Sequence, residues 1–285
     1  MRSTEAFELW RPPGSGDLLD ITSPTNPRIK TLHKRKSRDS EGRVLVEGCR
    51  LVTDALKAGL SPDLVLVSPE ALASPGGSAL SALLQRLSSD VVCLASGDCV
   101  ARACDTVSPQ GVVAVVARPL LPLPETVRLA LVLDGVSDPG NMGTMVRTAA
   151  ALGVDAVVMT GACVDLWSPK ALRASMGAAF RVPSVATGTW RETRELLQAR
   201  GLALYAADGG AATAHWEVPW SKPSALVVGS EAEGLSQAAR EDLDRGVITG
   251  IRIPLSNGVE SLNAAVAGAI VLGEAQRQRQ HGVNT

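Results

Sequence analysis

The second half of the chain alternates short, almost continuously apolar runs with stretches of helical spacing. From residue 129 onward the apolar runs lie at 129–136, 155–160, 182–186, 202–208, 224–231 and 247–255. Strands that are apolar on both faces and alternate with helices are typical of a parallel sheet covered by helices on both sides. The pattern predicts an α/β domain of about six parallel strands. In such a sheet ligands bind beyond the carboxyl ends of the strands, so polar residues that follow strands are the functional candidates.

The first half of the chain predicts a smaller α/β unit. Its expected strands are 44–48, 63–68, 91–95 and 111–117, and its expected helices are 49–60 and 78–89. Three prolines between residues 118 and 127 interrupt regular structure. A length of 285 residues suits two domains. We therefore expect an N-terminal arm at 1–19, a first domain at 20–117, a linker at 118–127 and a second domain at 128–285.

Charge is balanced over the whole chain but uneven along it. The net charge is −1, whereas the stretch from Arg28 to Arg43 has seven basic and two acidic residues, so it carries +5 and the remainder carries −6. A solvated helix face is the ordinary explanation of such a run. Its concentration in an otherwise acidic chain favours RNA contact instead. The predicted RNA-binding residues are Arg28, Lys30, Lys34, Arg35, Lys36 and Arg38.

Composition also excludes several classes of protein. Aromatic residues make up only 3%, too few for a sheet that stacks bases on exposed rings. The five cysteines form no CxxC pair and only three histidines accompany them, so we predict no metal site and reduced thiols. The apolar runs are too short to span a bilayer, and the N-terminal arm lacks the apolar run of a secretory signal. We expect a cytoplasmic protein with no membrane partner.

Three segments with polar residues follow predicted strands: 138–153, 227–236 and 253–268. None contains GxxxxGK[ST] or GxGxxG, so an enzyme that binds nucleoside triphosphates or NAD is not expected. Each segment also has a structural explanation. Pro139 and Gly140 suit a turn, Asn141 and Ser261 suit helix N-caps, and Gly234 suits a strand-to-helix turn.

Taken together and in this order, the segments resemble the three motifs of the SpoU/TrmH family, the S-adenosylmethionine-dependent RNA ribose 2′-O-methyltransferases. The matching residues are Asn141, Gly143, Arg147, Thr148 and Ala149, then Gly229, Glu231 and Gly234, then Ile253, Pro254, Ser261, Leu262 and Asn263. The N-terminal half resembles the family's RNA-binding domain, a module like ribosomal protein L30e, through residues 44–56 and 108–116. The resemblance covers about residues 20–278.

The resemblance implies a C-terminal parallel sheet tied in a deep trefoil knot, with the cofactor in the knotted loops. S-adenosyl-L-methionine is then the cofactor, and no metal is needed. The cofactor-binding residues implied are Gly229, Ser230, Ile253, Pro254, Leu262 and Thr160. Family members work as homodimers through the last helix, where the apolar candidates are Ala264, Ala265, Val266, Ala269, Ile270, Val271 and Leu272.

The family assigns activation of the ribose hydroxyl to the arginine that matches Arg147. Asn141 and Ser261 support it, while Glu231 and Asn263 hold the site. Because a guanidinium is normally always protonated, Arg147 is equally suited to clamp the target phosphate and stabilise developing oxyanion charge. Asn257 and Ala232 stand where the family usually has glycine. Asparagine tolerates positive φ better than other residues with a side chain, so we expect the third motif's loop to survive.

The leading hypothesis is an rRNA ribose 2′-O-methyltransferase, with 23S rRNA as substrate and no DNA partner. A tRNA ribose 2′-O-methyltransferase is the nearest alternative, and a non-catalytic RNA-binding protein is the alternative of another class. Arginine far exceeds lysine, 22 to 6, as in GC-rich actinomycete genes. Some family members from such organisms protect the ribosome against an antibiotic. The composition therefore also suggests a resistance enzyme.

Overall fold

The computed structural model describes residues 21–35 and 42–281. The chain divides into two compact units between Leu120 and Leu121, inside the stretch predicted to be a linker. The predicted N-terminal arm, and Lys36 and Arg38 of the basic run, lie outside the described residues.

The N-terminal unit is built around a four-stranded mixed sheet with the order β1-β4-β2-β3. Strand β4 runs antiparallel to β1 and β2, and β3 runs parallel to β2. The strands are β1 (Arg43–Glu47), β2 (Pro62–Val67), β3 (Val92–Leu94) and β4 (Val112–Ala117). The described helices are α1 (Pro27–Arg35), α2 (Cys49–Lys57), α3 (Pro69–Leu72), α4 (Gly77–Leu84) and α5 (Gly97–Ala103). All four predicted strands are present, and α1, α3 and α5 are additions to the predicted elements.

The basic run begins on a helix that is docked by its apolar residues. Ile29 and Leu32 of α1 are fully buried in the core of the N-terminal unit. Lys30 is exposed, whereas Arg28 is half-buried and donates a hydrogen bond to the Cys93 thiol of β3. The Arg28 guanidinium is therefore engaged inside the unit. Lys34 and Arg35 belong to the same helix.

The C-terminal unit contains a seven-stranded sheet with the order β7-β6-β5-β10-β8-β11-β9, and every neighbouring pair is parallel. The strands are β5 (Leu129–Asp134), β6 (Ala156–Thr160), β7 (Ser184–Thr187), β8 (Ala203–Ala207), β9 (Thr213–Ala214), β10 (Ser224–Gly229) and β11 (Thr249–Arg252). The predicted parallel sheet is confirmed. The seventh strand, β9, has only two residues, too few for a periodic pattern to show.

Helices cover both faces of this sheet. They are α6 (Pro139–Ala151), α7 (Pro169–Ser175), α8 (Trp190–Gln198), α9 (Gln237–Asp244) and α10 (Ala264–His281), with a short 3₁₀ helix at Ala178–Phe180. One core cluster joins alternate residues of β5 to Trp190 of α8 and Ala239 of α9, whereas α10 packs against α6 and β10. The carboxyl ends of β5, β10 and β11 therefore open toward the segments that resemble family motifs.

An ion-paired carboxylate joins α8 to α9. Asp242 is 1% exposed and accepts hydrogen bonds from the Trp190 indole at 2.8 Å, from Arg194 at 2.7 Å and from Arg245 at 2.9 Å. Burial alone would raise the pKa of Asp242, but the hydrogen bonds from Trp190 and Arg194 and the charges of both arginines lower it below its ordinary value. Three side chains, from α8 and from the C-terminal end of α9, thus converge on this carboxylate, which makes it a structural link.

Two further features concern the residues that the structure describes. None of their helices is both long and apolar enough to cross a bilayer. Among the same residues, no group of three or more histidine, cysteine, aspartate or glutamate side chains is placed to hold a metal ion. None of the five cysteines forms a disulfide bond.

Candidate functional site

Three side chains from distant parts of the chain form a hydrogen-bonded cluster. The Asn141 amide of α6 donates to the Glu231 carboxylate, which lies in the loop after β10. The side-chain amide of Asn263 donates to Oδ1 of the Asn141 side chain at 3.1 Å. Each residue comes from a different motif segment, so folding brings together polar residues that are up to 122 positions apart. We name Asn141, Glu231 and Asn263 the amide–carboxylate cluster.

The helix caps around this cluster differ from those predicted. Asp138, not Asn141, is the N-cap of α6, and its carboxylate accepts from the Asn141 backbone N–H at 2.8 Å. This leaves the Asn141 side chain available for Glu231. At the start of α10, the side-chain oxygen Oδ1 of Asn263 accepts from Ala265 N–H at 3.0 Å. The predicted capping roles of Asn141 and Ser261 were wrong, because Asp138 and Asn263 stand at the cap positions instead.

The loop that carries Glu231 is closed by its own backbone. Ser230 and Gly234 exchange two hydrogen bonds, Ser230 N–H to the Gly234 carbonyl at 2.8 Å and Gly234 N–H to the Ser230 carbonyl at 3.0 Å. Gly229 lies so close to this loop that a Cβ there would stand 2.3 Å from the Gly234 carbonyl carbon. Gly234 itself has a φ of +69°, which glycine adopts without strain. Both glycines are therefore needed to hold Glu231 against the end of β10.

A buried carboxylate lies directly behind this loop. Asp134, the last residue of β5, is 1% exposed, and its Oδ2 accepts from the Ser236 backbone N–H at 2.7 Å. Its Oδ1 has no hydrogen-bond partner among the described residues. Burial raises the pKa of Asp134, and the hydrogen bonds from Ser236 only partly oppose that effect. In the sheet, Asp134 pairs in register with Gly229 on one side and Thr160 on the other.

A cavity of about 460 Å³ opens beside the amide–carboxylate cluster, within the usual size range of small-molecule sites. It lies beyond the ends of β8, β10 and β11. Its lining includes Asp208, Val228, Gly229, Ser230, Glu231, Gly234, Arg252, Ile253, Leu255, Glu260, Ser261, Leu262, Asn263, Ala267 and Val271. Polar and apolar groups share the walls almost equally, so the cavity offers a ligand both apolar surface and hydrogen-bonding groups.

The charges in the lining of the cavity are predominantly negative. Asp208, Glu231 and Glu260 contribute carboxylates, and Arg252 contributes the cation. Asp208 also forms an ion pair with Arg240 at 2.7 Å. A site with this lining favours a ligand that carries positive charge.

The loop between β11 and α10 keeps the shape expected from the sequence. Asn257 has a φ of +58° and the following Gly258 a φ of +71°. Asparagine thus adopts the left-handed conformation at the position where the family usually has glycine. The expectation that Asn257 holds positive φ is confirmed.

Four of the predicted site residues stand apart from the cluster. Arg147 is exposed on α6 and has no ion-pair or hydrogen-bond partner within the described part of the chain. Ser261 lines the cavity but makes no hydrogen bond to the cluster in the described structure. Pro254 is exposed and does not line the cavity. Thr160 is fully buried at the end of β6, which β5 separates from β10.

The last helix uses only part of its apolar surface inside the unit. Ala265, Val271 and Leu272 are buried in the C-terminal unit itself. Val266 and Ile270, one turn apart, remain 49% and 39% exposed. The apolar surface that α10 offers to a partner is therefore narrower than its sequence suggests.

Comparisons with known proteins agree with this geometry. The model of the SpoU rRNA Methylase family matches residues 128–273, and that of an MRM3-like substrate binding domain matches residues 26–114. The chain is 35% identical to an uncharacterised tRNA/rRNA methyltransferase of Synechocystis, over 94% of this chain and 97% of that protein. It is 34% identical to the 23S rRNA (guanosine(2553)-2′-O)-methyltransferase RlmP of Bacillus subtilis, over 90% of this chain and 98% of that protein.

A solved structure extends the likeness to the fold and the cofactor. The SpoU methyltransferase AviRb from Streptomyces viridochromogenes, in complex with the cofactor AdoMet, matches with a TM-score of 0.76 and 27% identity, over 90% of this chain and all of that one. The family model spans the β5–α10 region that holds the cluster and the cavity. The chain therefore belongs to the SpoU rRNA methylase family of RNA ribose methyltransferases, with S-adenosyl-L-methionine as its cofactor.

Proposed function

We propose that this protein methylates a ribose 2′-hydroxyl of 23S rRNA. The observation that carries the proposal is the amide–carboxylate cluster of Asn141, Glu231 and Asn263 at the edge of a cavity of cofactor size. Such a cluster fixes hydrogen-bonding groups in one geometry, as a displacement reaction between aligned groups requires. The name of RlmP supports 23S rRNA as the substrate class. A scaffold that only bound RNA would not need this arrangement.

The cavity suits S-adenosyl-L-methionine in shape and charge. Gly229 provides a wall without a side chain, and Ile253 and Leu262 provide apolar surface for the nucleoside. Ser230 and the backbone of the loop offer polar groups for its edges. The carboxylates of Asp208 and Glu260 favour a ligand with a sulfonium and an ammonium group. We assign cofactor binding to Gly229, Ser230, Ile253 and Leu262; for Pro254 and Thr160 this role stays a prediction with less structural support.

The residues of this chain then have separable roles in the reaction. When bound, the cofactor would supply a methyl group; its transfer to the 2′-oxygen would break the carbon–sulfur bond, and the hydroxyl proton would pass to solvent water. Asn141 and Ser261 orient the hydroxyl, while Glu231 and Asn263 hold Asn141 in place. Arg147 either activates the hydroxyl or clamps the phosphate and stabilises the developing oxyanion. Arg147→Ala should abolish turnover in both versions, and near-normal methylation by that variant would contradict both.

The position of Arg147 favours a homodimer in which two copies build one site. Arg147 lies six positions after Asn141 on α6, so it is about 120° around the helix axis from Asn141 and about 9 Å further along it. Arg147 is exposed, as are Val266 and Ile270 of α10. We propose that two copies associate through α10 and that Arg147 of one copy meets the cluster of the other.

Mixing two inactive variants tests this arrangement. Arg147→Ala and Asn141→Ala are each expected to be inactive alone. After joint refolding, random pairing should restore about a quarter of wild-type turnover, because half of the dimers then contain one intact site. No recovery would contradict the shared site. A single-copy mass by light scattering at micromolar concentration would contradict the dimer itself.

The N-terminal unit is proposed to bind the RNA as an L30e-like module. The match to an MRM3-like substrate binding domain supports this assignment, and Lys30 presents an exposed charge on α1. Replacing Lys34, Arg35 and Lys36 by glutamine should weaken RNA binding and flatten its dependence on salt. The same change at Arg50, Lys57 and Arg86, on other helices or loops of the unit, is the matched control. An equal salt slope in both triple variants would count against the basic run.

The C-terminal unit is proposed to contain the family's trefoil knot. The placement of β10 between β5 and β8, with motif segments before and after it, supports this proposal. Pulling the folded unit from residues 128 and 281 with optical tweezers tests it. A knotted chain extends to less than its full contour length, whereas full extension would contradict the knot.

The substrate is identified by mapping 2′-O-methyl groups. The protein is incubated with unmodified 23S rRNA, with tRNA and with labelled cofactor, and Asn141→Ala serves as the inactive control. Label at one nucleotide of 23S rRNA supports the proposal, and label in tRNA favours the alternative. A resistance role, suggested by the arginine-rich composition, predicts that deletion of the gene sensitises cells to a ribosome-targeting antibiotic. We propose the cytoplasm as the site of action.

A further inference from the structure

The buried carboxylate of Asp134, behind the Ser230–Ser236 loop, has hydrogen-bond partners that stability alone does not explain. Asp134 is 1% exposed, and Ser236 is its donor: the backbone N–H lies at 2.7 Å and the hydroxyl also hydrogen-bonds to the carboxylate. The carboxylate oxygen Oδ1 has no partner in the described structure, and neither has the hydroxyl of the neighbouring Thr160. Burying a carboxylate with so few donors is costly, and an apolar residue would suit the position better.

The donor to Asp134, Ser236, lies where a loop of the cavity wall meets α9. Ser236 is the N-cap of α9 and the end of the loop that begins after Gly229. Gly229 pairs in register with Asp134, so this aspartate contacts the start of the loop through the sheet and its end through Ser236. The positive end of the α9 dipole also lies toward the carboxylate. Asp134 thus joins the two ends of the loop.

Between those ends lie the groups that the reaction uses. Ser230 and Glu231 line the cavity, and Glu231 accepts the hydrogen bond from Asn141. The backbone bonds between Ser230 and Gly234 fix the shape of the loop, but they do not attach it to the sheet. The hydrogen bond from Ser236 to Asp134 attaches it to β5 across 102 residues of sequence.

We propose that Asp134 is a positioning residue that holds the Ser230–Ser236 loop in its cofactor-binding position, so that losing it weakens S-adenosyl-L-methionine binding more than it weakens the fold. The inference rests on the proposed cofactor site. Asp134 does not line the cavity, whereas Ser230 and Glu231 do. It therefore acts on cofactor binding by fixing the positions of those two residues.

Calorimetric titration of the full chain with S-adenosyl-L-methionine and with S-adenosylhomocysteine tests the proposal. Asp134→Ala should raise both dissociation constants by about tenfold, the factor expected when one hydrogen bond to a charged group is lost. Asp134→Asn keeps an oxygen for Ser236 N–H and should stay within about threefold of wild type. Asp155→Ala is the matched control, because Asp155 anchors backbone N–H groups of Arg128 and Leu129 at the opposite end of β5.

A second pair of variants tests the same bond from its other side. Ser236 has a φ of −56°, which proline also adopts, so Ser236→Pro removes the N–H while the backbone direction is kept. Ser236→Ala keeps the N–H and removes the hydroxyl, which caps α9 and also hydrogen-bonds to Asp134. Ser236→Pro should weaken cofactor binding as Asp134→Ala does, and more than Ser236→Ala does. This pair decides the matter if Asp134→Ala does not fold.

The outcomes separate this inference from the proposed site. Ala267→Phe fills the cavity from α10 and should abolish binding if the cofactor occupies it. Unchanged binding in Ala267→Phe would overturn the site. Loss of binding in Ala267→Phe, with Asp134→Ala and Ser236→Pro equal to their controls, would overturn the role of Asp134 alone.

Discussion

Two buried carboxylates of the C-terminal unit are equally shielded from solvent but differ in their bonding. Asp242, between α8 and α9, accepts hydrogen bonds from an indole and two guanidinium groups. Asp134, behind the Ser230–Ser236 loop, has Ser236 as its donor, and its Oδ1 has no hydrogen-bond partner within the described structure. Their pKa shifts accordingly have opposite directions: burial prevails at Asp134 and raises its pKa, while donors prevail over burial at Asp242 and lower it.

The difference distinguishes a group that stabilises the fold from one that the fold tolerates. A carboxylate whose partners compensate for lost hydration contributes to stability, and its removal leaves those partners unsatisfied. A buried carboxylate with a single donor residue lowers stability while it is ionised, so its presence indicates a role other than stabilising the fold. Asp134 lies next to the site and Asp242 lies between helices away from it. The predictions below test this contrast.

Asp242→Ala should give the largest effect. It leaves the buried Trp190 N–H without a partner and separates the charges of Arg194 and Arg245 from their counter-ion, so the free energy of unfolding should fall by about 2–4 kcal/mol. Urea unfolding measures the loss. S-adenosyl-L-methionine affinity of the folded protein should not change. A loss below about 0.5 kcal/mol would mean that this link is no stronger than a surface ion pair.

Acid should remove the same contribution from the wild type. The folded pKa of Asp242 is lowered, so its stabilisation is present above the unfolded value of about 3.9 and is lost as the pH falls through the folded value. Asp242→Asn should therefore show a shallower fall in stability below pH 4 than the wild type. Equal slopes in the two proteins would contradict the assignment.

Asp134→Asn should act in the opposite direction on stability. The folded pKa of Asp134 is raised, so its ionisation lowers stability as the pH rises from the unfolded value through the folded value. The variant removes that loss and should be as stable as the wild type or up to about 2 kcal/mol more stable at pH 8. At pH 3, where Asp134 of the wild type is mostly protonated in both the folded and the unfolded state, the gain should vanish. A destabilised variant at pH 8 would place Asp134 with Asp242 among the structural carboxylates.

Glu274→Gln should give the smallest change in stability, because Glu274 has strong donors but its partner Arg277 is exposed to solvent. The Arg277 hydrogen bond, opposed in part by burial, lowers the pKa of Glu274 to about 2 with help from Gln278. The Arg277 side chain is 58% exposed, so solvent screens the pair and the loss should be about 0.5–1 kcal/mol. Thermal unfolding at pH 7 measures it. A loss as large as that of Asp242→Ala would show that donor number matters more than burial.

Sequence predicted the positions of the strands well because each one is an apolar run bounded by polar residues. It also placed Asn141, Glu231 and Asn263 at strand ends, where the parallel sheet brings them together. The caps were less predictable. Asp138 and Asn141 are both good N-cap residues three positions apart, and only the bond from Asn141 to Glu231 shows which one is released for the site.

The environment of single polar residues was not predictable in the same way. Asp134 ends an apolar run, and its burial depends on Gly229 and Thr160, which come from strands far along the chain. The exposure of Arg147 likewise depends on which face of α6 packs against α7 and α10. Strand β9 is two residues long and α5 only seven, so both are too short to leave a clear periodic signal.

The place of β10 in the sheet has a consequence for protein synthesis. This strand lies between β5 and β8, although both precede it in the chain. Until residue 224 emerges from the ribosome, β5 and β8 each present an unpaired edge, and a chain that stalls there exposes two templates for aggregation. Asn263 is made later still. The site can therefore form only after residue 263 has been made, and products that end before it carry the cost of open edges without a complete cluster.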